Sequence, residues 1–247
     1  MTMSLGEKYS FSKLSLFNSC KYAYYLTYVE GQKGADNAFS QYGTLIHSIL
    51  ERWAKGNIPI VELASVFEWE FDTEVSKQFP YNKYKDLRES YYNQGIEFLT
   101  AFDGLPDYTI IAAEEKFETQ IDDWIFNGII DLILQDKSGE FIVWDWKSKA
   151  GFKNETEQKT YARQLYGYSL YVKEKYGHYP KKLCFGMFRQ KEQIEINFDI
   201  KQMLEAIDWM RHTVKDIRSC WDYEPTINLF FCKELCGHSD CQFIEGS

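Results

Sequence analysis

The sequence is short of positive charge, histidine and proline, and has no long apolar run. Its 28 lysines and arginines face 37 aspartates and glutamates, giving a net charge of −9 and a pI near 5.1. That balance argues against a passive nucleic-acid binder, which needs a basic footprint to displace phosphate counterions. The objection weakens if divalent cations sit between acids and phosphate, because a metal site needs carboxylates and reverses the local charge logic. No stretch approaches a membrane span, and the start, MTMSLGEKYSFSKLSLF, lacks the basic opening and continuous apolar run of a signal peptide. The expectation is a cytoplasmic protein with no membrane partner. With five prolines and no repeat, low-complexity tract or Pro/Gly/Ser linker, residues 1–247 read as one domain with insertions. The absence of a flavin or nicotinamide fingerprint argues against a redox enzyme.

A hydrophobic content of 45% suffices for a proper core. Seven Trp, 18 Tyr and 18 Phe serve core packing first and base stacking second. In a reducing compartment six cysteines point to metal or cluster ligation before disulfides.

Apolar spacing predicts a helix from Ser10 to about Tyr28, capped by Ser12 or Ser10, then a loop over Gly31 to Gln41. Thr44 opens a second helix whose Leu45, Ile46, Ile49, Leu50 and Trp53 form a core-facing stripe with His47 at its edge. Amphipathic segments follow over Ile60 to Lys77 and Lys85 to Phe102. The period then changes to 2, and Ile110 to Ile121, Trp124 to Leu134 and Glu140 to Lys147 read as three consecutive strands. A helix from Glu157 to Lys175, strands near Leu183 to Phe188 and Gln193 to Phe198, and a helix from Ile200 to Ser219 complete the order. This is an α/β class with a mixed central sheet flanked by helices. Its parts are a helical insertion over about 44–104, a sheet core over about 108–198, and a final helix with a cysteine-rich tail over about 199–247.

On the third strand Phe141, Val143, Asp145 and Lys147 share a face, because alternate side chains point the same way. On the strand before it, Ile125, Asn127, Ile129, Asp131 and Ile133 form a row that one carboxylate interrupts. A lone Asp–Lys pair at a strand end is ordinary and worth little. Two acids and a lysine converging on one end of a sheet instead suit a divalent cation and phosphodiester hydrolysis, with hard oxygen ligands pointing to Mg²⁺ or Mn²⁺.

The segment GIIDLILQDKSGEFIVWDWKSK, Gly128 to Lys149, resembles the core of the PD-(D/E)XK nuclease superfamily. GTLIHSILE, Gly43 to Glu51, and QLYGY, Gln164 to Tyr168, resemble the histidine and Gln-x-x-x-Tyr motifs of its RecB-like exonuclease branch. The opening YSFSKLSLFNSCKYAYYLTYVEG is similar to the start of AddB-type and CRISPR-associated RecB-like nucleases. The resemblance implies a restriction-endonuclease-like fold and a divalent-metal-dependent nuclease, with an exonuclease favoured. Its implied substrate is DNA ends or single strands, in recombination, repair, phage replication or defence, with a helicase or recombination partner. It makes Asp131, Asp145 and His47 metal ligands with the carbonyl of Trp146, Lys147 the catalytic lysine, and Gln164 and Tyr168 substrate-binding residues. Glu115 resembles the upstream acid, with Glu114 on the opposite face as the alternative. A second reading is a catalytically inactive DNA-end-binding or helicase-partner module of the same fold. The intact Asp131, Asp145 and Lys147 set speaks against it.

The same resemblance implies a 4Fe-4S cluster on Cys20, Cys232, Cys236 and Cys241. The tail here is Cys-x3-Cys-x4-Cys, which departs from the family's closer-to-Cys-x2-Cys-x5-Cys spacing, and His238 offers zinc a competing ligand. Cys184 reads as a core residue, and Cys220 as undecided.

Overall fold

A computed structural model describes residues 6–238 and 241–244. Residues 1–5 of the N-terminal reading, and 239–240 and 245–247 of the expected tail, lie outside the described residues. Strand β1 (Lys8–Tyr9) leads into α1 (Phe11–Ser19), α2 (Lys21–Tyr24) and a π-helical turn (Tyr25–Val29). Ser10, not Ser12, is the cap: its Oγ accepts the Lys13 N–H at 3.2 Å. The continuous helix expected over Ser10 to Tyr28 is broken at Cys20, which is extended at φ −158° and accepts the Ala23 N–H on its own sulfur.

Helix α3 (Ala38–Ala54) begins six residues before the expected Thr44. Asn37 and Ser40 form a reciprocal capping box there, so the end of the predicted loop is helical. A 3₁₀ turn (Ile60–Glu62), α4 (Leu63–Glu74) and α5 (Leu87–Ala101) complete the helical half. The rest follows the expected order: β2 (Tyr108–Ile121), β3 (Trp124–Asp136), β4 (Phe141–Lys147), α6 (Glu155–Tyr176), β5 (Lys182–Met187), β6 (Glu192–Asn197) and α7 (Ile200–Ser219). A second π-helical turn, Phe231–Leu235, lies in the tail.

The sheet is mixed. β2 runs antiparallel along one edge of β3, while β1 and β4 share the other edge end to end, with β1 parallel to β3 and β4 antiparallel to it. β5 is parallel to β4, and β6 closes the far side antiparallel to β5. One core, with Phe126, Ile130, Val143, Phe185 and Met187, packs under α1, α6 and α7. The other, with Leu132, Leu134, Trp144, Trp146 and Phe188, packs under α3, α4 and α5. The alternating residues of β4 serve both cores, which makes the fold a sheet between two helical layers.

This assignment breaks the expected row on β3. Ile130 and Ile133 belong to the same core while Leu132 and Leu134 face the other, so alternation slips by one residue at Asp131. Ile129, expected in an apolar row, is exposed. Across the ladder, Glu114 has a left-handed φ of +52°, and β2 changes faces there too: Phe117 packs with the α6 side and Ala113 with the α3 side. No helix among the described residues is long and apolar enough to cross a membrane.

Candidate active site

The paired slip in β2 and β3 coincides with the end of a ladder. The β3–β4 pairing stops at Leu132↔Trp144, and the next pair in register would be Asp131 with Asp145. The Asp131 side chain takes the ladder's place, its Oδ2 accepting the Trp146 N–H at 2.7 Å. The strands splay at the point where the two acids meet.

Helix α3 brings His47 over this point. Its Nδ1 lies 3.5 Å from Asp131 Oδ2, and ligand atoms of His47, Glu114 and Asp131 all stand within 4.8 Å of one another. One edge of the His47 ring opens to solvent, its side chain being 32% exposed, while the rest lies deep in the protein. Burial pushes the His47 pKa down, Asp145 and the Trp146 main chain work against this, and Lys147 adds to it. The neutral imidazole that results is the form that ligates metals. Burial and the neighbouring Asp145 push Asp131 well above the usual carboxylate range. Burial, Asp131 and Glu51 push Glu114 up to about 7.

Asp145, 3% exposed, lies on the α6 side of β4. Lys147 Nζ stands 2.6 Å from its Oδ2, a close ion pair that is not aligned as a hydrogen bond, so this buried oxygen has no aligned donor. Lys147 instead donates to Gln164 Oε1 at 3.0 Å, and Gln164 Nε2 donates to the buried Tyr168 hydroxyl at 2.5 Å. Gln164 and Tyr168 meet because residues four apart share a face of α6.

Crowded acids with raised pKa values, a buried carboxylate oxygen without an aligned donor, and a neutral imidazole form a donor set of the hard oxygen and nitrogen type. A divalent cation would relieve the repulsion among them. His47, Glu114 and Asp131 are the residues placed to share one ion, with Asp145 adjoining through Asp131.

The structure places His47, Asp131, Asp145, Trp146, Lys147, Gln164 and Tyr168, all named from the sequence, near one another. It does not place Glu115 there. That residue faces α6, where it accepts from the Tyr171 hydroxyl at 2.5 Å and pairs with Lys175. Those contacts, led by Lys175, hold its carboxyl below the usual range. Glu114 occupies the site instead. The sequence reading favours Glu115, with Glu114 on the opposite face as the alternative, and the positive φ of Glu114 is where β2 departs from regular alternation.

Burial raises the pKa of the Cys236 thiol, a hydrogen bond from the His238 main chain works against this, and Cys20 from the N-terminal helices, together with Cys232 and Cys241 of the tail, raises it further. The four sulfurs therefore gather in one region, and none is in a disulfide. Cys184 is fully buried in β5, as read from the sequence. The partly buried Cys220 donates to the Asp222 carbonyl at 3.2 Å. His238 adjoins the gathered thiols: its main chain hydrogen-bonds the Cys236 thiol, and its Nε2 lies 2.9 Å from Thr27 Oγ1.

A crystal structure named "Putative exonuclease", from Eubacterium rectale, aligns with a TM-score of 0.57 at 13% identity, over 94% of this chain and 88% of that one. A crystal structure of a protein named SSO0001 aligns at 13% identity over 96% of this chain and 86% of that one, with a TM-score of 0.43. The first of these is a likeness of fold. No curated protein matches the sequence. The model of one protein family matches residues 8–244, nearly the whole chain, and on that match the protein belongs to the PD-(D/E)XK nuclease superfamily.

Proposed function

We propose that the protein is a divalent-metal-dependent deoxyribonuclease of the RecB-like branch that shortens DNA from an end. The observation that carries this reading is the convergence of His47, Glu114 and Asp131 within 4.8 Å beside the Asp145–Lys147 pair. When bound, Mg²⁺ or Mn²⁺ supplies Lewis-acid polarisation of a phosphoryl oxygen and a lowered pKa for water. His47, Glu114 and Asp131 would hold the cation, with Asp145 adjoining through Asp131 and the Trp146 carbonyl as the backbone ligand that the family resemblance implies. Asp131 is locked in place by the Trp146 N–H, and burial of Asp145 excludes competing solvent. Lys147 presents its ammonium to the phosphate, aimed by Gln164, which Tyr168 orients in turn. An end preference draws support from the RecB-like motifs and from the exonuclease name of the structural neighbour. Work on DNA ends or single strands beside a helicase, in recombination, repair, phage replication or defence, fits the same motifs.

Incubation of linear DNA labelled at one end with Mg²⁺ or Mn²⁺ tests this reading. Wild type should shorten the DNA progressively, and Asp145→Ala and Lys147→Ala, folded by circular dichroism, should leave it intact. Intact DNA with the wild type in both metals would refute catalysis.

The gathered thiols support a 4Fe-4S cluster held by Cys20, Cys232, Cys236 and Cys241. Such a cluster clamps the N-terminal helices to the tail. Iron and acid-labile sulfide measured after anaerobic purification decide it; zinc alone would overturn it.

A further inference from the structure

Between α4 and α5 the sequence KQFPYNKYK, residues 77–85, carries three lysines and three aromatics and no acid, in a chain whose net charge is −9. Phe79 anchors this loop, its ring lying 5.3 Å from Phe39 of α3 and 4.9 Å from Tyr91 of α5. Gln41 of α3 clamps its start, accepting the Lys77 N–H at 2.8 Å and donating to Ser76 Oγ at 3.3 Å. The anchored loop turns Tyr81 and Tyr84 outward, 92% and 83% exposed.

Lys77, Lys83 and Lys85 have no carboxylate partner among the described residues. Lys83 sits over the Tyr84 ring at 4.8 Å, and Lys85 reaches only Ser90. Some lysines elsewhere are paired, as Lys55 with Glu51 and Lys137 with Asp107. Unneutralised lysines interleaved with exposed tyrosines match single-stranded nucleic acid, whose phosphates take the charge and whose unstacked bases take the ring faces.

The loop stands beside the candidate active site. Gln41 and His47 are six residues apart on α3, about 9 Å along its axis. Arg189 bridges the interval: its guanidinium lies 4.2 Å above the Tyr91 ring, and the neighbouring Phe188 packs 6.0 Å from His47. Arg189 bonds to Gln94 and has no acidic partner among the described residues, which leaves its charge available. Positive side chains thus lead from the loop to Arg189, next to Phe188, which packs against His47.

We propose that the 77–85 loop is the contact for the single strand entering the site, with Tyr81 and Tyr84 stacking on bases and Lys77, Lys83 and Lys85 bound to phosphates. This rests on the nuclease reading and specifies how that site receives its substrate. The strand would pass the α3 end of the sheet, which makes a melted end a better substrate than an intact duplex.

The test measures binding of a fluorescent oligothymidylate, and of a blunt duplex of equal length, in EDTA by anisotropy across a salt series. Wild type, Tyr81→Ala/Tyr84→Ala and Lys77→Ala/Lys83→Ala/Lys85→Ala are compared, with melting curves to verify folding. The tyrosine variant should bind the single strand about tenfold or more weakly. The lysine variant should lower the slope of log affinity against log salt by about 2, from roughly 0.7 per phosphate contact over three lysines. Folded variants that bind the oligothymidylate like wild type would overturn the assignment, as would a loss confined to the duplex. Wild-type digestion of the same oligonucleotide with Mn²⁺ separates the two readings. If it cuts while the variants bind normally, only the loop assignment falls. If wild type neither binds nor cuts, the nuclease reading falls and takes this one with it.

Discussion

Exchanging Glu114 and Glu115 for glutamine, one at a time, separates two adjacent residues that the folded chain treats oppositely. Glu114 lies within 4.8 Å of His47 and Asp131 and offers a carboxylate oxygen to a shared cation. Cation-dependent stabilisation of a phosphoryl transition state is worth several kcal/mol, and each ~1.36 kcal/mol is tenfold in rate. Glu114→Gln keeps the shape and removes the charge, so cleavage with Mg²⁺ should fall by about 10²-fold or more. In EDTA this variant should melt no lower than wild type, since it removes a half-buried acid from the neighbourhood of Asp131 and Glu51. Glu115→Gln loses a partly exposed pair with Lys175, worth about 0.2–1 kcal/mol. For a chain of this size that is a melting shift of at most about 4 °C, and cleavage should stay within about threefold of wild type. Initial rates on labelled DNA and thermal melts with and without metal provide the measurements. An active Glu114→Gln beside a silent, folded Glu115→Gln would refute the reasoning and return the site to regular strand alternation.

Other perturbations reach the same geometry from different directions. Saturating Mn²⁺, at about 100 times its Kd, should stabilise the native protein by roughly 2.7 kcal/mol, or about 5–10 °C, and Asp131→Asn should abolish most of that shift in scanning fluorimetry; an equal shift in both proteins would place the cation elsewhere. Gly186→Ala would set a methyl 2.2 Å from the Trp146 ring, which lies across its strand pair. The crowding should cost about 1–3 kcal/mol in urea unfolding and lower cleavage by moving the Trp146 N–H that holds Asp131; an unchanged midpoint would show that the indole has room to shift. Asp199 caps α7, accepting the Lys201 and Gln202 N–H groups at 2.7 and 3.2 Å. Its replacement by Ala should cost about 1 kcal/mol and leave cleavage untouched, so a loss of activity without a loss of stability would reveal an unrecognised role.

Much of this was legible in the sequence. The change of period from 3.6 to 2 close to residue 110 and the limits of α7 depend on local spacing, and the folded chain keeps them to within two residues. The pairing of Asp145 with Lys147, and of Gln164 with Tyr168, follows from periods of 2 and about 4 within single elements. The start of α3 was missed because a reciprocal Asn37–Ser40 cap outweighed the polar look of the segment before Thr44. What only the tertiary structure decided is the slip at Glu114 and Asp131. A left-handed residue in β2 and a side chain replacing a ladder bond in β3 are answers to contacts more than a dozen residues away, and no periodic pattern encodes them. The sequence by itself determined which acids, lysine and histidine were available and on which elements they ride. The meeting of His47, Glu114 and Asp131, and the exclusion of Glu115, come from packing α3 and α6 on opposite faces of a sheet whose strands part at that point.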